Sequence, residues 1–123
     1  MKIQALGHVV LKVRNRAKAE AFYNGILGLP IVARYEEMGM TFFSLGNHHD
    51  FAVAAVGDEA PGPVKDGVGL AHVAFKIGDD VATLKSAKGE LEAAGITAVA
   101  ADHGVSKSLY FADPDGNRVE LYV

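Results

Sequence analysis

The chain contains no cysteine. Disulfides, zinc–thiolate sites and thiol nucleophiles are therefore excluded. No apolar run approaches the roughly 18–20 residues of a membrane-spanning helix, so no membrane partner is expected. Positive charge is not in excess either: 12 Lys and Arg stand against 15 Asp and Glu, a formal net charge of -3, with no arginine-rich run. Nucleic acid is not an expected partner of such a surface. The N-terminal residues enter a strand pattern without the apolar core of a signal peptide, and a cytoplasmic location is the default expectation. What is present is ordinary for a globular protein: 123 residues, 50% hydrophobic and 22% charged, enough for one domain with a proper core.

Against that background, three strand-like segments each carry one potential metal ligand. They are residues 7–13 with His8, residues 71–77 with His72, and residues 118–123 with Glu120. Successive side chains of a strand point to opposite faces. His8 then shares a face with Val10 and Lys12, while Val9, Leu11 and Val13 form the other. His72 opposes Val73, Phe75 and Ile77 in the same way, and Glu120 opposes Val119, Leu121 and Val123. Each segment offers an all-apolar face for a core and a ligand on the reverse. Two histidines and a carboxylate are the donor set that suits non-heme Fe(II) with open coordination positions.

The chain is also written twice. His-Val-Val-Leu-Lys-Val at 8–13 matches His-Val-Ala-Phe-Lys-Ile at 72–77 with apolar and polar positions in register. A helix signal follows each. Asn15 is an N-cap, with Ala19, Phe22, Tyr23, Ile26 and Leu27 at helical spacing and Gly28 as a stop. Asp79 or Asp80 caps the second, with Val81, Leu84 and Leu91 on one side and Gly95 at its end. Three short strand runs follow each helix, at about 29–36, 40–46 and 50–56, then at about 96–101, 107–112 and 118–122. The expected fold is α+β: paired βαβββ modules forming a cupped, incompletely closed mixed sheet with helices on the outer face. Module one spans about 1–57 and module two about 70–123, joined by a linker at about 58–69 that holds Pro61 and Pro63. Duplication alone would put a histidine in each first strand, but Glu120 breaks the symmetry. The last strand of module one, Phe51 to Val56, has no donor side chain.

With these residues in place, the chain resembles the vicinal oxygen chelate superfamily of glyoxalase I, bleomycin- and fosfomycin-resistance proteins and extradiol ring-cleaving dioxygenases. Paired βαβββ modules are its architecture, and its metal ligands fall where His8, His72 and Glu120 fall. Finer motifs are similar to the extradiol enzymes. His103 is followed by Leu109-Tyr110, by Asp113-Pro114-Asp115-Gly116 and by Glu120, and the stretch His48-His49-Asp50-Phe51-Ala52 is similar to the segment carrying their acid–base histidine. The resemblance implies Fe(II), or Mn(II), held by His8, His72 and Glu120. It also implies His49 as acid–base residue, Tyr110 as hydrogen-bond partner of the substrate, and His103 as an orienting group. His48 is expected to face solvent, and Lys12 and Lys76 to lie at the rim.

No arginine occurs in Thr97 to Ala101, where some relatives hold a carboxylated catechol. The implied substrates are therefore a small or apolar aromatic diol and O2, with a homodimer helping to cover the site. Two other readings stay open. One is a glyoxalase-like lyase or isomerase using Ni(II) or Zn(II), which in glyoxalase I draws a fourth ligand from the last strand of module one. The other is a small-molecule binding protein of the bleomycin-resistance kind.

Overall fold

A computed structural model describes residues 1–123, and the chain divides into two compact units, Met1–Pro61 and Gly62–Val123. Each is a βαβββ module carrying a four-stranded mixed sheet that does not close on itself. Module one contains β1 (Val9–Val13), α1 (Arg16–Glu20), β2 (Ile31–Tyr35), β3 (Met40–Phe43) and β4 (Phe51–Ala55), in sheet order β1-β4-β3-β2. Module two contains β5 (Val73–Lys76), α2 (Val81–Ala93), β6 (Val99–Asp102), β7 (Lys107–Ala112) and β8 (Arg118–Tyr122), in order β5-β8-β7-β6. The first and last strands of each module pair in parallel, and the remaining pairs are antiparallel.

The apolar face of each sheet is sealed by its helix. In module one, Leu11, Val13, Phe43, Phe51 and Val53 are all buried beneath Phe22 and Tyr23. The fully buried Tyr23 ring lies 4.8 Å from Phe51 and meets Phe22 edge-on at 4.9 Å, the offset geometry that aromatic quadrupoles favour. In module two, Leu84 and Leu91 of α2 cover Leu109, Phe111, Val119 and Leu121, all buried. In module two, alternation along the strands leaves the opposite face to Ser108, Tyr110 and Glu120.

The first helix differs from its expected form. Asn15 does cap it, accepting from the Lys18 amide at 2.9 Å, but after Glu20 the helix widens into a π-helical stretch, Ala21–Ile26. Leu27 N–H reaches back five residues to the Phe22 carbonyl at 3.0 Å. The added residue per turn turns Ile26 outward and buries Leu29 instead. Gly28, at φ +76°, allows the exit. In module two Asp80, not Asp79, is the cap, bonding the Thr83 amide at 2.8 Å, and Val81 in the first turn is exposed. The second strand of module one is shorter than expected because a bulge at Val32 and a 3₁₀ turn over Glu36–Met38 interrupt it.

The helix of module one is fastened to its sheet by one carboxylate. Glu20 accepts from buried Thr41 Oγ1 at 2.7 Å and from Arg34 Nε and Nη2 at 2.8 and 3.1 Å. Arg34 and Thr41 are cross-strand partners, so both reach the same helix end. Hydrogen bonding to Arg34 holds the Glu20 carboxyl below its ordinary value of 4.5.

Two stability outcomes follow. Phe51→Ala should cost about 3–5 kcal/mol in a denaturant titration, since it removes a ring that packs on Tyr23 in a closed core. Glu20→Gln should lower stability near neutral pH. A depressed folded pKa contributes fully above the unfolded value and is lost as pH falls through the folded one. The gap between the two proteins should therefore close on acidification; a gap that widens would contradict the ion-pair account.

Candidate metal centre

In module two the site grows from the register of β8, which lies between β5 and β7. Glu120 pairs with Ala74 on one side and Tyr110 on the other, so the carboxylate and the phenol project from the face away from α2. Glu120 is only 8% exposed. A carboxylate so placed is costly unless partnered. Fully buried Ser108 donates its hydroxyl to Glu120 Oε1, and His72 Nε2 lies 3.0 Å from Oε2. Cis ligands on bonds of about 2.1 Å around an octahedral ion stand about 3 Å apart. The His72–Glu120 pair thus has the spacing and the donor chemistry of two neighbouring metal ligands, one imidazole and one carboxylate.

Around that pair sits a hydrogen-bonded tyrosine. Tyr110 Oη is 2.9 Å from His103 Nε2, and its ring meets His72 edge-on at 5.5 Å. His103 is held by a turn in which its N–H bonds the Ser106 carbonyl at 2.9 Å and Gly104 N–H bonds Asp102 Oδ1 at 2.8 Å. The Arg118 guanidinium lies over the Tyr110 ring, 4.7 Å from its centroid, a cation–π contact. Loss of solvation, reinforced by the Glu120 charge, pushes the Tyr110 phenol above its usual pKa, while Arg118 acts in the opposite direction.

In module one His8 immediately precedes β1, just as His72 precedes β5. The Val9 amide bonds the Asp50 carbonyl at 3.1 Å, which sets His8 level with Asp50 and beside His49. The His8 and His49 rings are 4.7 Å apart, and Phe42 meets His49 edge-on at 4.8 Å. Asp50 Oδ2 accepts from the Leu45 amide at 2.6 Å and so ties down the loop that carries both histidines. That bond holds the Asp50 carboxyl below its usual range. Desolvation, with the neighbouring His48 and His8, lowers the His49 pKa.

His48 departs from expectation. It is exposed, yet its ring sits 3.7 Å from His49 and 5.6 Å from His8 instead of turning away. Strict alternation fails there because both residues lie in an irregular turn before β4. On β4 itself, the residues sharing a face with Val10 and Lys12 are Ala52 and Ala54, which supply no donor. Lys76 pairs with Asp79 at 2.6 Å on the surface, away from any chemistry. Within module two the structure brings His72, Glu120, Tyr110 and His103 together; within module one it brings His8 to His49. Sequence reading missed Ser108, Arg118 and Asp50. Ser108 stands two residues before Tyr110, on the same face of β7, and only the pairing of β7 with β8 brings it to Glu120.

The chain matches the family model of the Glyoxalase/Bleomycin resistance protein/Dioxygenase superfamily over residues 5–121, and it belongs to that family. Among curated relatives it is 36% identical to biphenyl-2,3-diol 1,2-dioxygenase 3 of Rhodococcus globerulus, over 96% of this chain and 62% of that protein. It therefore spans under two thirds of that relative's length. It is 30% identical to glutathione transferase FosA of Serratia marcescens, over 98% of this chain and 82% of that protein. Among solved structures, lactoylglutathione lyase from Agrobacterium tumefaciens is 28% identical with a TM-score of 0.75, covering 98% of this chain and 94% of that one.

The contact between Arg118 and Tyr110 has a direct readout. Arg118→Ala should raise the Tyr110 phenol pKa further, seen by pH titration of ¹³C-labelled tyrosine in the NMR spectrum. An unchanged or lower value would mean that the guanidinium does not act on the ring.

Proposed function

We propose that the protein is an Fe(II)-dependent extradiol-type dioxygenase that opens the ring of a small catecholic diol with O2. His8, His72 and Glu120 are the proposed metal ligands, His8 being supplied by module one of the same chain or of a second copy. The observation that carries this reading is the Tyr110–His103 hydrogen bond beside the His72–Glu120 pair. A metal site needs neither residue for ligation, whereas a bound diol needs an oriented hydrogen-bond donor. The biphenyldiol dioxygenase relative supports the same reading.

Bound Fe(II) would supply electron transfer between the aromatic ring and dioxygen. The chain's own residues handle position and protons. Tyr110, a phenol protonated at neutral pH, donates to a diol oxygen, while His103, in the tautomer with its proton on Nε2, donates to Tyr110 Oη and so directs its hydroxyl. His49 accepts and returns the substrate proton; its lowered pKa keeps the imidazole neutral and ready to accept. With Ala52 and Ala54 on the ligand face of β4, three protein donors leave room for a bidentate substrate. The uncharged stretch Thr97 to Ala101 favours a diol without a carboxylate. We further propose that both modules act as one domain and that a homodimer helps cover the substrate.

A second reading has its own support: the chain spans 82% of the FosA relative, far more than of the dioxygenase. A metal-dependent transferase or lyase needs no O2, and that separates the two. Anaerobically purified protein given Fe(II) and a panel of uncharged catechols should consume oxygen in proportion to a yellow ring-opened product. His49→Ala should slow turnover by about 10²–10⁴-fold with iron retained. No oxygen uptake on any catechol, with turnover of a thiol or α-hydroxy carbonyl substrate under anaerobiosis, would overturn the dioxygenase reading.

A further inference from the structure

Module one holds a group of donors that the proposed iron site does not use. The ligand nitrogens of His8, His48 and His49 all lie within 4.8 Å of one another. We infer that these three imidazoles form a second cation site, selective for a borderline divalent ion such as Zn²⁺ and overlapping the proposed iron site through His8.

The placement comes from backbone constraints. The parallel pairing of β1 with β4 and the Val9 amide bond to the Asp50 carbonyl bring the chain just before each strand to one level. Asp50 then braces the loop by binding the Leu45 amide, while the Gly46 amide bonds Ser44 Oγ at 3.0 Å. The two histidines before Asp50 are thereby held against His8. Three imidazoles on Zn–N bonds of about 2.0–2.1 Å stand about 3.4 Å apart in a tetrahedral site, so closing the cluster needs ring shifts of about 1.4 Å at most. His8 and His48 are exposed, and such shifts meet little packing resistance.

Donor chemistry sets the selectivity. The carboxylate next in sequence, Asp50, receives the Leu45 amide, and the cluster itself is all nitrogen. Neutral imidazoles suit Zn, Cu, Fe and Ni, whereas carboxylate-rich oxygen sites suit Mg, Ca and Mn, and a given nitrogen site binds Zn²⁺ more tightly than Fe²⁺. Three protein nitrogens leave a fourth position for water. On the reading that His8 also ligates iron, one imidazole cannot serve both ions. Zn²⁺ at this cluster then excludes Fe(II) and also engages His49.

The test uses Zn²⁺ and the full chain, freed of metal. The double variant His72→Asn/Glu120→Gln, which lacks two of the proposed iron ligands, should still bind one Zn²⁺ per chain in competition with a chromophoric chelator. Adding His48→Asn should weaken that binding by roughly tenfold or more. In the wild type, Zn²⁺ should shift the ring ¹⁵N signals of His8, His48 and His49, a readout independent of how the variants fold. Failure of the double variant to bind, equal binding after loss of His48, or movement of the His72 signal alone would overturn the inference. Failure of the iron reading looks different: Zn²⁺ would still bind the double variant but would not impede Fe(II) uptake by the wild type.

Discussion

A carboxylate buried in a sheet must be satisfied, and Glu120 is where that requirement governs this molecule. Withdrawn from water, it would be strongly destabilising without partners. β7 provides Ser108 for one oxygen, and the residue before β5 provides His72 for the other. The same charge, after loss of solvation, helps raise the Tyr110 pKa. Shifting β8 by one residue would send Glu120 into the apolar layer beneath α2 and bring Val119 or Leu121 to the polar face. The register of β8 and the partnering of its buried carboxylate are thus one constraint.

The two modules share a topology but use it differently. Ala52 pairs with Val10 as Glu120 pairs with Ala74, so the two are structural counterparts. By the same registers, Phe42 corresponds to Tyr110 and Met40 to Ser108. The face of module one is therefore apolar where that of module two is polar. Its histidines lie at the strand ends, where His8 meets His48 and His49. Both modules have a helix-covered core, and their opposite faces differ in polarity. Alternation permits this, because residues on one face can change without touching the other.

Much of this architecture was legible in the sequence. The repeat of residues 8–13 at 72–77 and the period-two patterns foretold paired βαβββ modules, and alternation set Glu120 on the face opposite Val119 and Leu121. Three things escaped it. The π-helical stretch at Ala21–Ile26, whose Tyr23 seats on Phe51 and Phe43, has no composition signal. His48 lies in a turn, where no period applies and the Asp50 latch decides direction. Ser108 reads as an unremarkable strand serine until pairing with Tyr122 puts it beside Glu120.

The account rests on His8, His72 and Glu120 acting as one ligand set. The most direct measurement is Fe(II) stoichiometry after anaerobic loading and dialysis, for the wild type and for His8→Ala, His72→Ala and Glu120→Gln. One iron per chain in the wild type, lost in each variant while circular dichroism still reports the folded sheets, is the predicted result. Full iron retention in Glu120→Gln or His8→Ala would contradict the ligand set and, with it, the proposed chemistry.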